Sequence, residues 1–583
     1  MKTHEIRTTP REGWFEASER TLLFYRIWES PVGCADRAIL LLHRGHEHSG
    51  RLNEVAKHFV ARGHTVFAYD ARGHGRSPGR RGEARNVSVL VRDLDAFVRH
   101  ITRKHGYAPE QICIVANSIA SVVAATWVHD YAPRIRCMVL LAPAFDIRLY
   151  VPFARPLIRA AQLVHSNLFI KSYVSPGLLT RDPEEMAKYR HDHLITRDIA
   201  AHLLLEFHAT ARRIVDDAPA IHTPTLVLVA GKDCVVNEAA QQRFHARLGT
   251  DQKRLVRFPT MRHALLHDRG RDNVLHVIDQ FLDEILTRPD KRPTHLRRAD
   301  SEGHTYEEFV NLSGPATLGR RGVFAIQRLA LSTLGRLSRG IQIGLRHGFD
   351  SGRSLDYVYA NKPQGFTALG RAIDRAYLNA IGWRGIRQRR ELLQQALREA
   401  IHSKHGQCHL VDLASGGARY DIEVLREFPR CTALLRDWSE INVADARAAA
   451  TAAGLSGVHC ERGDAFAEDE VAALSPKADI VVVSGLYELF PGNEAVIHSL
   501  RGIHQLLKDD GILIYTCQPR HPQLELIARV LPNREGRPWL MRRRSQAEMD
   551  ILVEDAGLRK EQTLADDHGI FTVSIARKRR GIT

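Results

Sequence analysis

Three residues of this chain, Ser118, Asp233 and His263, have the types, order and surroundings for covalent chemistry. Ser118 lies in Ala116-Asn117-Ser118-Ile119-Ala120, between an apolar run that opens at Ile112 and the small-residue stretch SVVAATWVHDY. Ester hydrolysis needs a hydroxyl held clear of its neighbours, which favours small residues two positions to either side, and a backbone N–H after it to face an oxyanion. A serine between alanines is common in helices and strands, so this pentapeptide carries little alone. Asp233 follows the apolar run TLVLVA and His263 follows KRLVRF, so all three residues fall at carboxyl ends of strands in the order Ser, Asp, His. So arranged, serine attacks, histidine shuttles its proton and aspartate fixes the histidine tautomer.

A second constellation lies in the C-terminal half. Asp412-Leu413-Ala414-Ser415-Gly416-Gly417-Ala418 is a small-residue turn between a strand and a helix, where a ligand can approach the backbone closely. The next strand ends at Asp437, an acid able to accept both hydroxyls of a ribose. The third ends at Asp464-Ala465-Phe466, where a carboxylate and an aromatic can hold an adenine. Each acid could instead cap the following helix; it is their sequential arrangement that makes a pattern. After the fourth and fifth strands come Tyr487, Glu488 and His521, placed to face a second ligand, or equally pocket walls and caps.

These residues require elements to position them, and the sequence supplies two α/β rhythms. Residues 38–290 alternate apolar runs (AILLLH, TVFAYD, QICIVA, CMVLLAP, TLVLVAG, KRLVRF) with amphipathic stretches, the pattern of a parallel sheet. The rhythm breaks at about 146–215, where helix-like His- and Arg-rich sequence predicts a cap. A polar, proline-bearing stretch at 289–304 reads as a linker. Residues 305–400 read as helical, and a second rhythm (CHLVDLA, CTALLRD, GVHCERGD, ADIVVVSG, GILIYTC, FTVSIA) fills 401–583. We therefore expect an α/β protein of two domains. In 320–346, Arg321, Arg339 and Arg346 fall within about 20° of Arg328 on a helical wheel. Val323, Ile326, Ala330, Leu334, Leu337, Ile341 and Leu345 fill the other side. That is the composition of a helix on an anionic bilayer, or of one docked on a neighbouring domain; Gly335, Gly340 and Gly344 weaken it as an isolated helix.

With these residues in place, residues 15–290, in a first domain expected over 1–288, resemble the monoacylglycerol lipase and lysophospholipase group of α/β-hydrolases. His43-Arg44-Gly45-His46-Glu47-His48-Ser49-Gly50-Arg51 is similar to that group's HGxGEHSGRY loop, and Asp70-Ala71-Arg72-Gly73-His74-Gly75-Arg76-Ser77 to its D-x-x-G-H-G-x-S turn. The resemblance implies an oxyanion hole from the amides of Gly45 and Ile119 and a helical lid over an acyl pocket. Arg44, Ala116 and Ala120 stand where the group has glycine. Residues 405–580, in a second domain expected over 401–583, resemble the Rossmann-like class I S-adenosyl-L-methionine-dependent methyltransferases, with GILIYTC and FTVSIA as the late hairpin and an N-terminal helical extension. The whole C-terminal half, with Gly348-Phe349-Asp350-Ser351-Gly352 and Ser484-Gly485-Leu486-Tyr487-Glu488-Leu489-Phe490, is similar to a bacterial methyltransferase family fused behind α/β-hydrolases. The resemblance implies a cofactor site at Asp412, Ala414, Gly416, Asp437, Asp464, Ala465 and Phe466, and a methyl-acceptor side at Tyr487, Glu488 and His521. The fourth strand's SGLYE differs from the NPPY-type motif of amino-group nucleic-acid methylases.

Composition bounds the rest. The chain has 583 residues, 44% hydrophobic and 26% charged, too long for a single core and too apolar for disorder. Its net charge of +16 favours phosphates, whether on lipid or nucleic acid. Eight cysteines without a CxxC pair suggest reduced thiols, and the N-terminus MKTHEIRTTPREGW has no apolar leader, so a cytoplasmic protein is expected, in peripheral contact with the inner membrane face. A metal reading of His43, His46, Glu47 and His48 is weaker than the hydrolase loop that already uses three of them, and no metal is expected; His191 and His193 read as cap surface. The leading reading is a bifunctional enzyme of lipid metabolism, a serine hydrolase of lysophospholipid- or monoacylglycerol-type esters fused to a methyltransferase. Against it stands an RNA-binding methyltransferase with a degenerate hydrolase domain used for binding or as a scaffold. That reading would use Arg542-Arg543-Arg544 and Arg577-Lys578-Arg579-Arg580, but no RNA-binding motif accompanies them.

Overall fold

The computed structural model describes residues 9–30, 37–165, 167–289 and 292–579. The first eight residues, Cys34, part of the expected linker and Arg580 lie outside them. The chain divides into two compact units, Met1–Pro293 and Thr294–Thr583.

In the first unit the apolar runs form six adjacent strands of an eight-stranded sheet. Its order is Arg11–Glu16, Leu22–Trp28, Thr65–Tyr69, Ala38–Leu42, Ile112–Asn117, Cys137–Leu141, Thr225–Ala230 and Lys253–Phe258. From Thr65–Tyr69 onward all neighbours are parallel, while Arg11–Glu16 and Leu22–Trp28 form an antiparallel hairpin on one edge. Alternate side chains serve the two faces. Ile39, Leu41, Val66 and Ala68 join Phe59, Ile278 and Phe281 of the helices Asn53–Ala61 and Arg271–Thr287. On the other face Tyr69 meets Phe97 of the helix Val87–His105 at 5.0 Å between ring centres. The segment expected as a helical cap contains the helices Ala154–Val164, Pro183–His191 and Ala201–Asp216, and in addition an antiparallel ribbon of Phe169–Lys171 with Asp198–Ala200. Three-residue strands are too short to show a period-2 pattern.

The second unit holds a seven-stranded sheet. Its order is Val458–Arg462, Thr432–Asp437, His409–Asp412, Ala478–Val483, Leu507–Cys517, Thr572–Lys578, Leu558–Ala565. The first five are parallel and the last two antiparallel to their neighbours. The expected hairpin of GILIYTC with FTVSIA is therefore incomplete: Leu558–Ala565, a charged edge strand without an apolar run, is the hairpin partner of Thr572–Lys578. The helix Ile381–Ser403 covers one face through Leu393, Ala396, Leu397 and Ile401, and Asn493–Leu506 covers the other through Val496, Leu500 and Ile503.

Two expectations for the segment before this sheet are corrected. Of the stretch read as a linker, Thr294–Arg298 is a 3-10 helix whose Leu296, with Ala299, packs on Ile551, while Arg297 ion-pairs with Asp555. The basic amphipathic stretch 320–346 is two helices, Leu318–Ser332 and Arg339–His347, joined by the 3-10 turn Leu334–Leu337. The break is at Thr333 (φ −110°, ψ −86°), where a buried Asp374 accepts from Ser338 Oγ and the Gly340 amide and anchors the new helix start. The arginine triplet read as a phosphate site is buried. Arg542 bonds Glu548 and Asn493, Arg543 bonds Glu308 and the Pro519 carbonyl, and Arg544 bonds the carbonyls of Tyr487, Phe490 and Gly492. In the tail Arg577 pairs with Glu561. Among the described residues no helix is long and apolar enough to cross a membrane.

Candidate active sites

Ser118 stands at the sharp junction between the strand Ile112–Asn117 and the helix Ile119–Tyr131, at φ 54°, ψ −115°. That backbone is strained for a residue with a Cβ and lifts the hydroxyl off the sheet. Ala116 is tolerated two residues earlier: it sits in sheet register between Leu42 and Leu140, and its carbonyl accepts from Ser121 Oγ at 2.8 Å. His263 Nε2 lies 2.8 Å from Ser118 Oγ, and its Nδ1 lies 2.8 Å from Asp233 Oδ2. Asp233 Oδ1 accepts from the amides of Val235 and Val236. Burial works against the Asp233 carboxylate, but His263 and those amides outweigh it and hold its pKa below the ordinary value. The three expected residues are thus joined in one hydrogen-bonded chain.

The expected oxyanion side lies between the loop carrying Gly45 and the start of the helix Ile119–Tyr131. A Cβ on Gly45 would lie 3.2 Å from Ile119 Cδ1, so the two residues expected to donate are neighbours. Both line, with Ser118 and His263, a cavity of about 440 Å³. Its walls include Leu149, Val151, Leu157, Ile158, Leu179 and Ile199, mostly from the cap. Gly75 shows why the Asp70–Ser77 turn is glycine-rich: at φ 51°, a Cβ there would fall 2.2 Å from Asp70 Oδ2. Asp70 is fully buried and accepts from Ser49 and the Arg76 amide, which ties this turn to the oxyanion loop.

Arg44, in the place of a glycine, turns inward and pairs with buried Glu47. Burial opposes the Glu47 carboxylate, yet Arg44, then His267 and Arg51, pull its pKa down to about 2. His43 contacts the Arg44 carbonyl and accepts from the Ala71 amide, and His48 Nε2 lies 2.9 Å from Asp192. The histidines of this loop thus have protein partners that fix its shape.

In the second unit the carboxyl ends of the strands bring the expected cofactor residues to one edge. Asp412 is fully buried and accepts from the Ala414 amide and the Tyr420 hydroxyl, so it props the turn from beneath and leaves its ligand face to the backbone. Burial pushes its pKa up to about 7. Gly416, at φ 55°, donates its amide to Asp437 Oδ2 at 3.0 Å, and a Cβ on Gly416 or Gly417 would meet nothing within 4 Å. Asp437 is half-buried, and Trp438 beside it is exposed. Asp464 accepts from the Phe466 amide, and the Phe466 ring lies 4.4 Å from that of Phe490; Ala465 is buried beside them.

The acceptor-side candidates fare differently. Tyr487 turns into the core, its hydroxyl 3.0 Å from Ser499 Oγ, and is removed from any acceptor. His521 is nine-tenths buried; burial lowers its pKa to about 4, and Nδ1 accepts from the Gln523 amide. Its proton is therefore on Nε2, which makes it a donor and unsuited to removing a proton. Glu488 pairs with Arg389 at 3.2 Å, and both are buried with Glu488 Oε2 and Arg389 Nε lacking partners. Arg389 was not singled out by any motif. Its signal is an arginine on the apolar stripe Ile386, Leu393, Leu397 of the helix Ile381–Ser403.

Comparison with known proteins adds the following. The family model described as "Putative methyltransferase" matches residues 278–578, and that described as "Serine aminopeptidase, S33" matches residues 33–270. The Escherichia coli (strain K12) protein YnbC, itself uncharacterised, is 43% identical over 98% of this chain and 99% of its own. A monoacylglycerol lipase of Mycolicibacterium smegmatis is 25% identical over 48% of this chain and 98% of its own. Human monoglyceride lipase is 26% identical over 45% of this chain and 87% of its own.

Proposed function

Because the chain belongs to the methyltransferase family matched by its C-terminal half, in its fusion with a serine hydrolase domain, we propose that it hydrolyses acyl esters of lipids at Ser118 and transfers methyl groups from S-adenosyl-L-methionine in its second unit. The observation that carries the first activity is the Ser118–His263–Asp233 chain at an apolar cavity of about 440 Å³. Ser118 Oγ attacks the acyl carbonyl and passes its proton to His263 Nε2; Asp233 holds the Nδ1–H and stabilises the imidazolium. The Gly45 and Ile119 amides donate to the oxyanion. His263 then protonates the departing alcohol, and a water deprotonated by the same nitrogen releases the acid. The cap supports a lipid ester: it bears exposed Tyr150, Val151, Phe153 and Leu157, and three of them line the cavity. The relatives' monoacylglycerol substrates support a monoacylglycerol or lysophospholipid class.

The residues of the second unit fit S-adenosyl-L-methionine. The open side of Gly416 and Gly417 admits it to the backbone, and Asp437 would accept from its ribose hydroxyls. Asp464 and Phe466 would flank its adenine, and the orphaned Arg389 Nε and Glu488 Oε2 would take its charged amino-acid end. Bound there, it supplies a methyl group already activated on a sulfonium, so the chain's own work is orientation and exclusion of water. A lipid ester at the first site would place the chain in lipid metabolism.

Intact-mass measurement after fluorophosphonate treatment tests the first activity. We expect one adduct on the wild type and none on Ser118→Ala, with turnover of monoacylglycerol or lysophospholipid lost in the variant; an adduct on both would refute the assignment. Calorimetric titration with S-adenosyl-L-methionine tests the second, with binding expected to weaken about 10- to 100-fold in Asp437→Ala through loss of charge-assisted hydrogen bonds. Equal affinity would remove Asp437 from the site.

A further inference from the structure

The helix Leu318–Ser332 is held to the second unit by a narrow strip. Phe324 is its one buried residue, Leu331 is half-buried, Arg320 pairs with Glu525, and Arg328 donates to the Arg529 carbonyl. Leu318, Gly322, Ile326 and Leu329 fall within about 60° of the direction opposite Phe324. Leu318 is 84% exposed, Ile326 68% and Leu329 63%. The apolar side of the helix therefore faces outward, while Arg320 and Arg328 tie the other side to the protein, the reverse of a docked amphipathic helix; Arg321, on the flank, is exposed. Exposed apolar surface continues beyond it. The turn Leu334–Leu337 adjoins the helix Ala368–Leu378, where a Cβ on Gly370 would come 2.5 Å from the Leu337 carbonyl oxygen, and Leu334, Phe366 and Leu369 on these pieces are all exposed.

Charge identifies what covers this face. Residues 315–390 contain fourteen arginines and lysines against three aspartates, a surplus of eleven out of the chain's sixteen; of the fourteen, Arg320, Arg389 and Arg390 pair with Glu525, Glu488 and Glu423 from outside this stretch. All three acids are already engaged: Asp350 with Arg534, Asp356 with Arg419, and Asp374 with Ser338, Gly340 and Gln364. A second copy would bring an equal positive surplus against the first, which disfavours self-association. An anionic bilayer answers both features, headgroup charge to exposed arginines such as Arg321 and Arg336 and acyl chains to the leucine and isoleucine side chains.

We propose that the outward face of Leu318–Ser332, with Leu334, Phe366 and Leu369, is a docking surface for an anionic lipid bilayer. Embedding that face would leave Arg321 and Arg336 at headgroup level, where each basic residue adds to binding and loses its effect at high salt. The surface does not depend on either active site, so adsorption can be read without turnover.

The test is co-sedimentation of the full chain with vesicles of phosphatidylcholine alone and of phosphatidylcholine with phosphatidylglycerol. The wild type is expected to bind the anionic vesicles and not the neutral ones. Ile326→Asp/Leu329→Asp should weaken that binding by at least about tenfold, since each buried aliphatic contributes more than about 1.4 kcal/mol. Arg321→Glu/Arg336→Glu should weaken it as well, and all three proteins should melt at the same temperature because the substituted side chains are exposed. Failure of the wild type to sediment with anionic vesicles would overturn the proposal, as would undiminished sedimentation of the Asp double variant, which would put the adsorbing surface elsewhere. Light scattering that shows a wild-type dimer dissociated by the Asp variant, without vesicle binding by either, would make the face a contact between copies and also overturn it.

Discussion

The pair of Arg44 with Glu47 beside the oxyanion loop offers a test in which structure sets the magnitude. Both side chains are almost wholly buried, and Arg44 replaces a residue that the resembling loop keeps as glycine. In the folded protein Glu47 has its pKa lowered from 4.5 to about 2. The difference of about 2.5 units corresponds to roughly 3 kcal/mol of stability, present above pH 4.5 and lost as the pH falls towards 2. Replacing Arg44 by Met keeps the volume and leaves the carboxylate buried, with His267 and Arg51 as its remaining partners. Burial then dominates and raises the Glu47 pKa towards or above 4.5. The expected deficit is about 3–5 kcal/mol at neutral pH, in line with breaking one side of a buried pair, or roughly 6–12 °C in the unfolding midpoint of the first unit. It should shrink as the pH falls, first as the unpaired carboxyl takes up its proton and then between pH 4.5 and 2. The double variant Arg44→Met/Glu47→Gln, with no charge left to bury, should recover much of the loss. Calorimetric or fluorescence melts of the three proteins at pH 7 and pH 4 measure this directly. A deficit below about 1 kcal/mol, one unchanged between the two pH values, or no recovery in the double variant would refute the reasoning.

Two further outcomes concern the same unit. Asp233→Asn keeps the shape of the relay but presents the wrong His263 tautomer, so kcat on a soluble short-chain ester should fall about 10⁴-fold with KM little changed; a fall below tenfold would detach Asp233 from the relay. His129 is buried between Asp130 and Asp217 at 2.6 and 2.8 Å; burial disfavours its imidazolium, but the two carboxylates outweigh it and raise its pKa above 6.5. Its contribution to stability is complete below pH 6.5 and fades as the pH rises through the raised value, so His129→Gln should destabilise more at pH 6 than at pH 9 in denaturant melts, and an equal loss at both would count against the ion triad.

Both sheets were legible in the sequence because their inner strands are buried on both faces and so read as continuous apolar runs. Two of the strands that escaped notice, Arg11–Glu16 and Leu558–Ala565, lie at the edges, where many side chains face water and the run disappears. A third, Leu22–Trp28, is an inner strand buried along most of its length, but it joins the sheet antiparallel, ahead of the repeating strand–helix pattern. The candidate site residues were legible for a related reason. In α/β sheets active groups gather at the carboxyl ends of strands, so finding the strands located Ser118, Asp233 and His263, and likewise Asp412, Asp437 and Asp464.

What sequence by itself determined was therefore type, order and strand-end position; those follow from local patterning along the chain. Which of these groups meets a ligand was decided by tertiary packing. Asp412 and Tyr487 share their strand ends with true site candidates, yet the fold turns both into the core, where Tyr420 and Ser499 satisfy them. Arg542, Arg543 and Arg544 are as basic as any surface cluster, and only long-range contacts with Glu308, Asn493 and backbone carbonyls turn them into interior ties. Arg389 and Glu488, 99 positions apart, become a pair only when the helix Ile381–Ser403 lies across the strand ends. The amphipathic stretch shows the same division. Its sequence fixed which residues share a face, but helical periodicity is unchanged by rotation about the axis, so only the packing of Phe324 decided that the apolar face would look outward.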